Sequence, residues 1–174
     1  YLSCNVFMQS KNKLMGKPYI MKEINGVKFG IIGLTLPDLF TTSLPGNVTD
    51  LVMLNTDSVL TANINEVKSK GADVVVLLSH SGLDEDKAIA ERFYADIDII
   101  VGGHSHTVLF KPVRKNGVVI VQAGSHGRNL GKLDLKIDTE KDTVTEAYGV
   151  LIETILDSAI YDIDAASKVD NLIA

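Results

Sequence analysis

Asp73-Val74-Val75-Val76-Leu77-Leu78-Ser79 holds an unbroken run of β-branched and aliphatic residues from Val74 to Leu78, and Ile97-Asp98-Ile99-Ile100-Val101 follows it after a short interval. Continuous apolar runs of this length are the pattern of strands buried on both faces by helices. The segment between them, 85–93, suits a helix. Upstream, over 57–70, Val59, Leu60, Ala62, Ile64 and Val67 recur at three- and four-residue spacing among Asn, Glu and Lys, with Gly71 as a stop, which predicts an amphipathic helix. Helix, buried strand, helix, buried strand is the alternation of an α/β sheet with parallel neighbours.

Outward from this centre the pattern changes. Asn25-Gly26 lies between the β-prone runs Tyr19-Ile20-Met21-Lys22-Glu23-Ile24 and Val27-Lys28-Phe29-Gly30-Ile31-Ile32-Gly33-Leu34, a strong short-range hairpin signal. Pro37, Pro45, Gly46 and Asn47 break up the next stretch into loop with at most a helical turn. Further strands are expected at 117–123, 131–138 and 144–152; no helices separate them, so antiparallel or mixed pairing is expected. Ile163, Ala166, Val169 and Ile173 form one helical stripe near the right end, so 156–174 reads as a linker helix and 1–155 as the folded unit.

Composition limits the function classes. The chain has 174 residues, 45% of them apolar, enough to bury a core, and a net charge of −5 with both signs interspersed. No basic face for duplex nucleic acid is visible, whereas a small anionic substrate is compatible. Cys4 is the only cysteine, which excludes an internal disulfide and a cysteine zinc cluster. No apolar run approaches the roughly 20 residues of a membrane-spanning helix.

Three of the four histidines follow the two buried strands, in Ser79-His80-Ser81-Gly82 and Gly102-Gly103-His104-Ser105-His106-Thr107. Ligands of open α/β sheets gather at the carboxyl ends of the strands, so both loops can face one crevice. Two glycines permit a sharp turn and close approach, and two histidines spaced two apart reach neighbouring positions. Neutral imidazole is the commonest protein ligand for zinc, manganese or iron, so His80, His104 and His106 are candidate metal ligands. Singly, each would read as an ordinary hydrogen-bonded residue; the set carries the argument. His126, in Ala123-Gly124-Ser125-His126-Gly127-Arg128, is open between supporting a ligand, contacting substrate together with Ser125, and forming a turn. A dinucleotide-binding reading lacks its Gly-x-Gly-x-x-Gly after an early strand.

These residues, in this order, resemble the 5'-nucleotidase and 2',3'-cyclic phosphodiesterase branch of the calcineurin-like metallophosphoesterases. The stretches that carry the resemblance are Asn25 through Thr35, Leu77-Leu78-Ser79-His80-Ser81-Gly82, Ile99 through Thr107, and Val121-Gln122-Ala123-Gly124-Ser125-His126-Gly127. The resemblance implies part of a four-layer αββα sandwich with mixed sheets, and two divalent ions (manganese, zinc, iron, magnesium or calcium), with His80 and His104 on one and His106 on the other. It implies hydrolysis of a nucleotide or another phosphate ester, such as a UDP-sugar or a cyclic phosphate, and an extracellular, periplasmic or cell-surface location.

The family also uses an aspartate-x-histidine loop, a bridging aspartate and a glycine-asparagine-histidine loop with the catalytic histidine. None is present, since Gly46-Asn47 is followed by Val48. The expectation is therefore the second half of a catalytic domain, with the catalytic histidine upstream, a nucleotide-binding domain downstream, and the remainder of its own chain as partner. Such a half should be inactive alone and should expose an apolar edge around Val74 to Leu78. A non-catalytic metal- or nucleotide-binding module that kept the fold is the alternative.

Overall fold

The computed structural model describes residues 1–154; the helix expected at 156–174 lies outside them. In chain order the elements are β1 (Val6–Met8), β2 (Lys13–Leu14), β3 (Tyr19–Ile24), β4 (Val27–Leu34), α1 (Leu39–Thr42), α2 (Pro45–Val48), β5 (Leu51–Met53), α3 (Thr56–Ser69), β6 (Val74–Ser79), α4 (Leu83–Arg92), β7 (Ile99–Val101), β8 (Val113–Lys115), β9 (Val118–Val121), β10 (Asn129–Asp138) and β11 (Thr143–Glu153). The central sheet has the order β3-β4-β6-β7-β9-β8. Its four inner strands are mutually parallel, and β3 and β8 close the edges antiparallel.

Period-2 alternation explains why the apolar runs are unbroken. Val75, Leu77, Ile100, Val118 and Ile120 point to one face, where they meet Leu60, Ile64 and Val67 of α3 and Ile89 and Ala90 of α4. Val74, Ile99 and Val119 point to the other, against Leu133, Leu135, Ile137, Val144 and Ala147 of the β10–β11 hairpin. The described residues thus supply a helical layer, the mixed sheet and a β layer on its far side. A separate three-stranded sheet, β2-β1-β5, flanks them.

Local signals decide several joints. Asn25 and Gly26 have φ of 52° and 82°, the left-handed pair of a tight hairpin turn. Asn116-Gly117 repeats the device between β8 and β9, with φ of 50° and 93°. Asn55 caps α3 by accepting the Ser58 N–H at 2.9 Å.

One expectation holds and one changes. The antiparallel or mixed pairing expected for 117–123 is mixed: β9 pairs antiparallel with β8 in a hairpin and parallel with β7, which the chain reaches by a crossover without a helix. The run around Val74, expected at an exposed apolar edge, is not an edge. Strand β6 lies between β4 and β7, and only Leu78 of its aliphatic residues is largely exposed, at 46%. Exposed apolar groups near the carboxyl ends of the sheet strands and on the hairpin include Leu78, Val101, Leu130, Val150 and Ile152.

Candidate functional site

Because β4, β6, β7 and β9 run parallel, the loops after them all leave the same edge of the sheet. The loop after β6 carries His80, that after β7 carries His104 and His106, and that after β9 carries Ser125 and His126. All four histidines are exposed at this edge. The rings of His80 and His104 stand 5.4 Å apart, edge to face. Those of His106 and His126 stand 5.6 Å apart in the same manner. The loop histidines therefore form two pairs, and His126 is the neighbour of His106. Ser125 is half-buried, its carbonyl accepting the Arg128 N–H at 3.2 Å in a turn.

The backbone under these rings is constrained. His104, His106 and His126 have φ of 70°, 55° and 56°, a left-handed conformation that costs a side-chain-bearing residue roughly 1–2 kcal/mol. Such strain persists only where the surroundings enforce it, and it concentrates at functional sites.

Gln122, 3% exposed, supplies much of that enforcement. Its amide Nε2 donates to the Gly103 carbonyl at 3.0 Å, and its Oε1 accepts the Ser105 hydroxyl at 2.9 Å and the Thr107 N–H at 2.5 Å. One side chain thus holds both arms of the Gly102 to Thr107 loop. Ser105 Oγ also accepts the N–H of Leu83 at the start of α4, at 3.1 Å, which ties this loop to the one carrying His80. The His80 N–H donates to the Leu34 carbonyl at 2.9 Å. Buried Asn5 in turn pins the end of β4 through both backbone groups of Thr35.

Beneath the loops lies Asp86, 0% exposed. Its Oδ1 accepts the Ser79 hydroxyl at 2.5 Å, while Oδ2 has no hydrogen-bond partner. Removal from water pushes this carboxyl up to about 6, against the Ser79 hydrogen bond, which lowers it; the nearby Glu85 charge adds to the rise. Ser79 is itself 4% exposed, so it cannot reach a substrate as a nucleophile.

The donor chemistry fits metal ions in pairs of imidazoles, and only in part. Among the described residues no group of three or more His, Cys, Asp or Glu side chains is close enough to hold an ion by itself. Sequence reasoning singled out the histidines but passed over Gln122, Asp86 and Asn5 as structural supports; a lone polar residue in or beside an apolar run was the signal available for Gln122.

No family model matches the chain. It is 32% identical over 171 residues to the 5'-nucleotidase of Rattus norvegicus, a match covering 88% of this chain and 28% of that protein. It is 34% identical over 134 residues to the trifunctional nucleotide phosphoesterase protein YfkN of Bacillus subtilis (strain 168), covering 73% of this chain and 9% of the other. The solved calcineurin-like phosphoesterase YfkN from Bacillus subtilis shares the fold, with a TM-score of 0.77 at 22% identity over 99% of this chain and 62% of that one. The chain spans about a quarter of the length of the 5'-nucleotidases it matches. It belongs with the 5'-nucleotidases and related nucleotide phosphoesterases and has the fold of a calcineurin-like phosphoesterase.

Proposed function

We propose that this chain is part of an enzyme that hydrolyses nucleotide phosphate esters with two divalent metal ions, for which His80, His104 and His106 are its share of the ligands. The observation that carries the reading is the 5.4 Å spacing of the His80 and His104 rings at adjacent strand ends. With metal–nitrogen bonds near 2.1 Å, two imidazoles sharing an ion have their ring centres about 5 Å apart. His106, on the same loop as His104 but paired with His126, serves the other ion.

Divalent ions held there supply a nucleophile at neutral pH, by lowering the pKa of water from about 16 to about 7, and stabilise charge on phosphoryl oxygens. The chain's own residues act as scaffold. Gln122 and Ser105 fix the loop that presents His104 and His106, and the His80 N–H bond to Leu34 fixes the other. None of the three imidazoles moves a proton while its nitrogen is committed to a ligand bond.

Two imidazoles do not complete an ion's coordination, so the remaining ligands and the catalytic histidine come from outside the described residues, and this stretch alone is inactive. UDP-sugars and cyclic phosphates are further candidate leaving-group classes. The working location is extracellular, periplasmic or at a cell surface; no described helix is long and apolar enough to cross a membrane. The test is phosphate release from AMP, a UDP-sugar and a 2',3'-cyclic nucleotide by the full-length protein, with and without manganese, alongside His104→Ala. Metal-independent turnover, or a His104→Ala variant as active as the parent, defeats the reading.

A further inference from the structure

The most unusual group under the site is Asp86. A buried carboxylate oxygen without a partner costs about 1–3 kcal/mol or more, so its retention at 0% exposure calls for a compensating role. Its position relative to both histidine loops supplies one. On one side, Ser79 Oγ donates to Asp86 and accepts the Ser81 N–H at 3.2 Å. This short chain brackets His80, whose two neighbours are thereby held to α4. On the other side, Asp86 Oδ2 is packed against Gly102, where a Cβ would collide with it. That same Cβ would lie 3.0 Å from Gln122 Nε2, so Asp86 and the side chain that holds the rest of this loop meet at the one face of Gly102 that a side chain would otherwise fill.

We infer that Asp86 is a positioning residue: wedged between Ser79 and Gly102, it sets how far apart the His80 and His104 loops stand and so fixes the spacing of their rings. This rests on the proposal that those two histidines share an ion. Asp86 does not touch the ion or the substrate; it acts through Ser79 and Gly102. The backbone of Gly102 comes this close because no side chain intervenes. Residues that orient ligands from behind in this way typically alter metal affinity 10- to 100-fold when removed.

The experiment uses the full-length protein and reads manganese affinity by competition with a chelating dye, together with the melting temperature in EDTA. Asp86→Ala is expected to weaken manganese binding at least tenfold at temperatures where it is folded. Asp86→Asn keeps an acceptor for Ser79 and the same shape, so it should recover most of that loss. Ser79→Ala removes a single oxygen and is the recourse where Asp86→Ala does not fold; it should show a comparable loss. Manganese affinity unchanged in a folded Asp86→Ala or in Ser79→Ala, or equally damaged in Asp86→Asn, overturns the inference. His104→Ala separates the two ideas. If it binds manganese as tightly as the parent, the ligand assignment fails; if it loses binding while Asp86→Ala and Ser79→Ala keep it, only the positioning role fails.

Discussion

A methyl group on Gly103 would sit 2.9 Å from Nδ1 of His80, closer than real side-chain contacts allow. The loop after β7 therefore passes directly over the ring presented by the loop after β6. Gly103→Ala should displace that ring, which is exposed and free to turn away, so stability changes by less than about 1 kcal/mol. Hydrolysis by the full-length enzyme should nonetheless fall by about tenfold or more, because small displacements at a reacting centre are costly. Melting curves and AMP turnover measured side by side decide it; equal activity would show that the ring's position is not critical.

His104→Ala and His106→Ala in the full-length protein should each reduce phosphoesterase activity by about two orders of magnitude or more, since a lost ligand removes the group that organises the reaction. His126→Ala should cost less than about tenfold. Its ring is nevertheless 5.6 Å from that of His106. Steady-state kinetics with added manganese check the ranking, and a His126 effect as large as the other two would make it a ligand or catalytic group in its own right.

The left-handed backbone at His126, with φ of 56°, gives a prediction about stability rather than chemistry. Glycine adopts this conformation freely, so His126→Gly should leave stability unchanged or raise it by up to about 1 kcal/mol. A β-branched residue resists it, and His126→Val should lower stability by about 1–2 kcal/mol. Chemical denaturation of the three proteins distinguishes these outcomes; a destabilised glycine variant would mean that the imidazole's own contacts outweigh the strain.

Burial holds the Asp86 carboxyl at about 6, above the ordinary 3.8. The folded state therefore keeps this proton more tightly than the unfolded chain. Its contribution to stability is fully present below about pH 4 and is lost as pH rises through about 6. Asp86→Asn removes the titration, so in EDTA it should be more stable than the parent near pH 7, by on the order of 2 kcal/mol. That advantage should shrink as pH falls from 6 to 4. A difference that is flat between pH 4 and 7 would refute the raised value.

Residues 1–174 purified alone should hydrolyse AMP and a chromogenic phosphate ester with manganese at well under roughly 1% of the full-length rate. His80 and His104 leave one ion with two protein ligands and His106 leaves the other with one, where catalytic sites usually take three or more. The exposed Leu78, Val101, Leu130, Val150 and Ile152 should also promote self-association, visible by sedimentation. Substantial turnover by the isolated chain would mean that all the catalytic groups are within it.

Sequence alone determined the features whose causes are local. Five contiguous residues from Val74 to Leu78 and three from Ile99 to Val101 can be apolar throughout only if both faces are covered, which identifies buried strands and the helices around them. Asn25-Gly26 dictates its hairpin by backbone conformation, and His80, His104 and His106 are placed by following strand ends directly. Tertiary structure decided whatever depends on residues remote along the chain. That β9 lies beside β7, bringing His126 to His106, follows from a crossover with no periodic signature. Gln122 and Asp86 look ordinary in sequence, one a polar residue after a strand and the other one of three acids in the first turn of α4. Their roles come from distance: Gln122 bonds to residues 15 to 19 positions away, and Asp86 meets Gly102 across the sheet edge. Hydrogen bonding and close packing act through space, so which polar residue is buried under a loop is settled only when the strands have assembled.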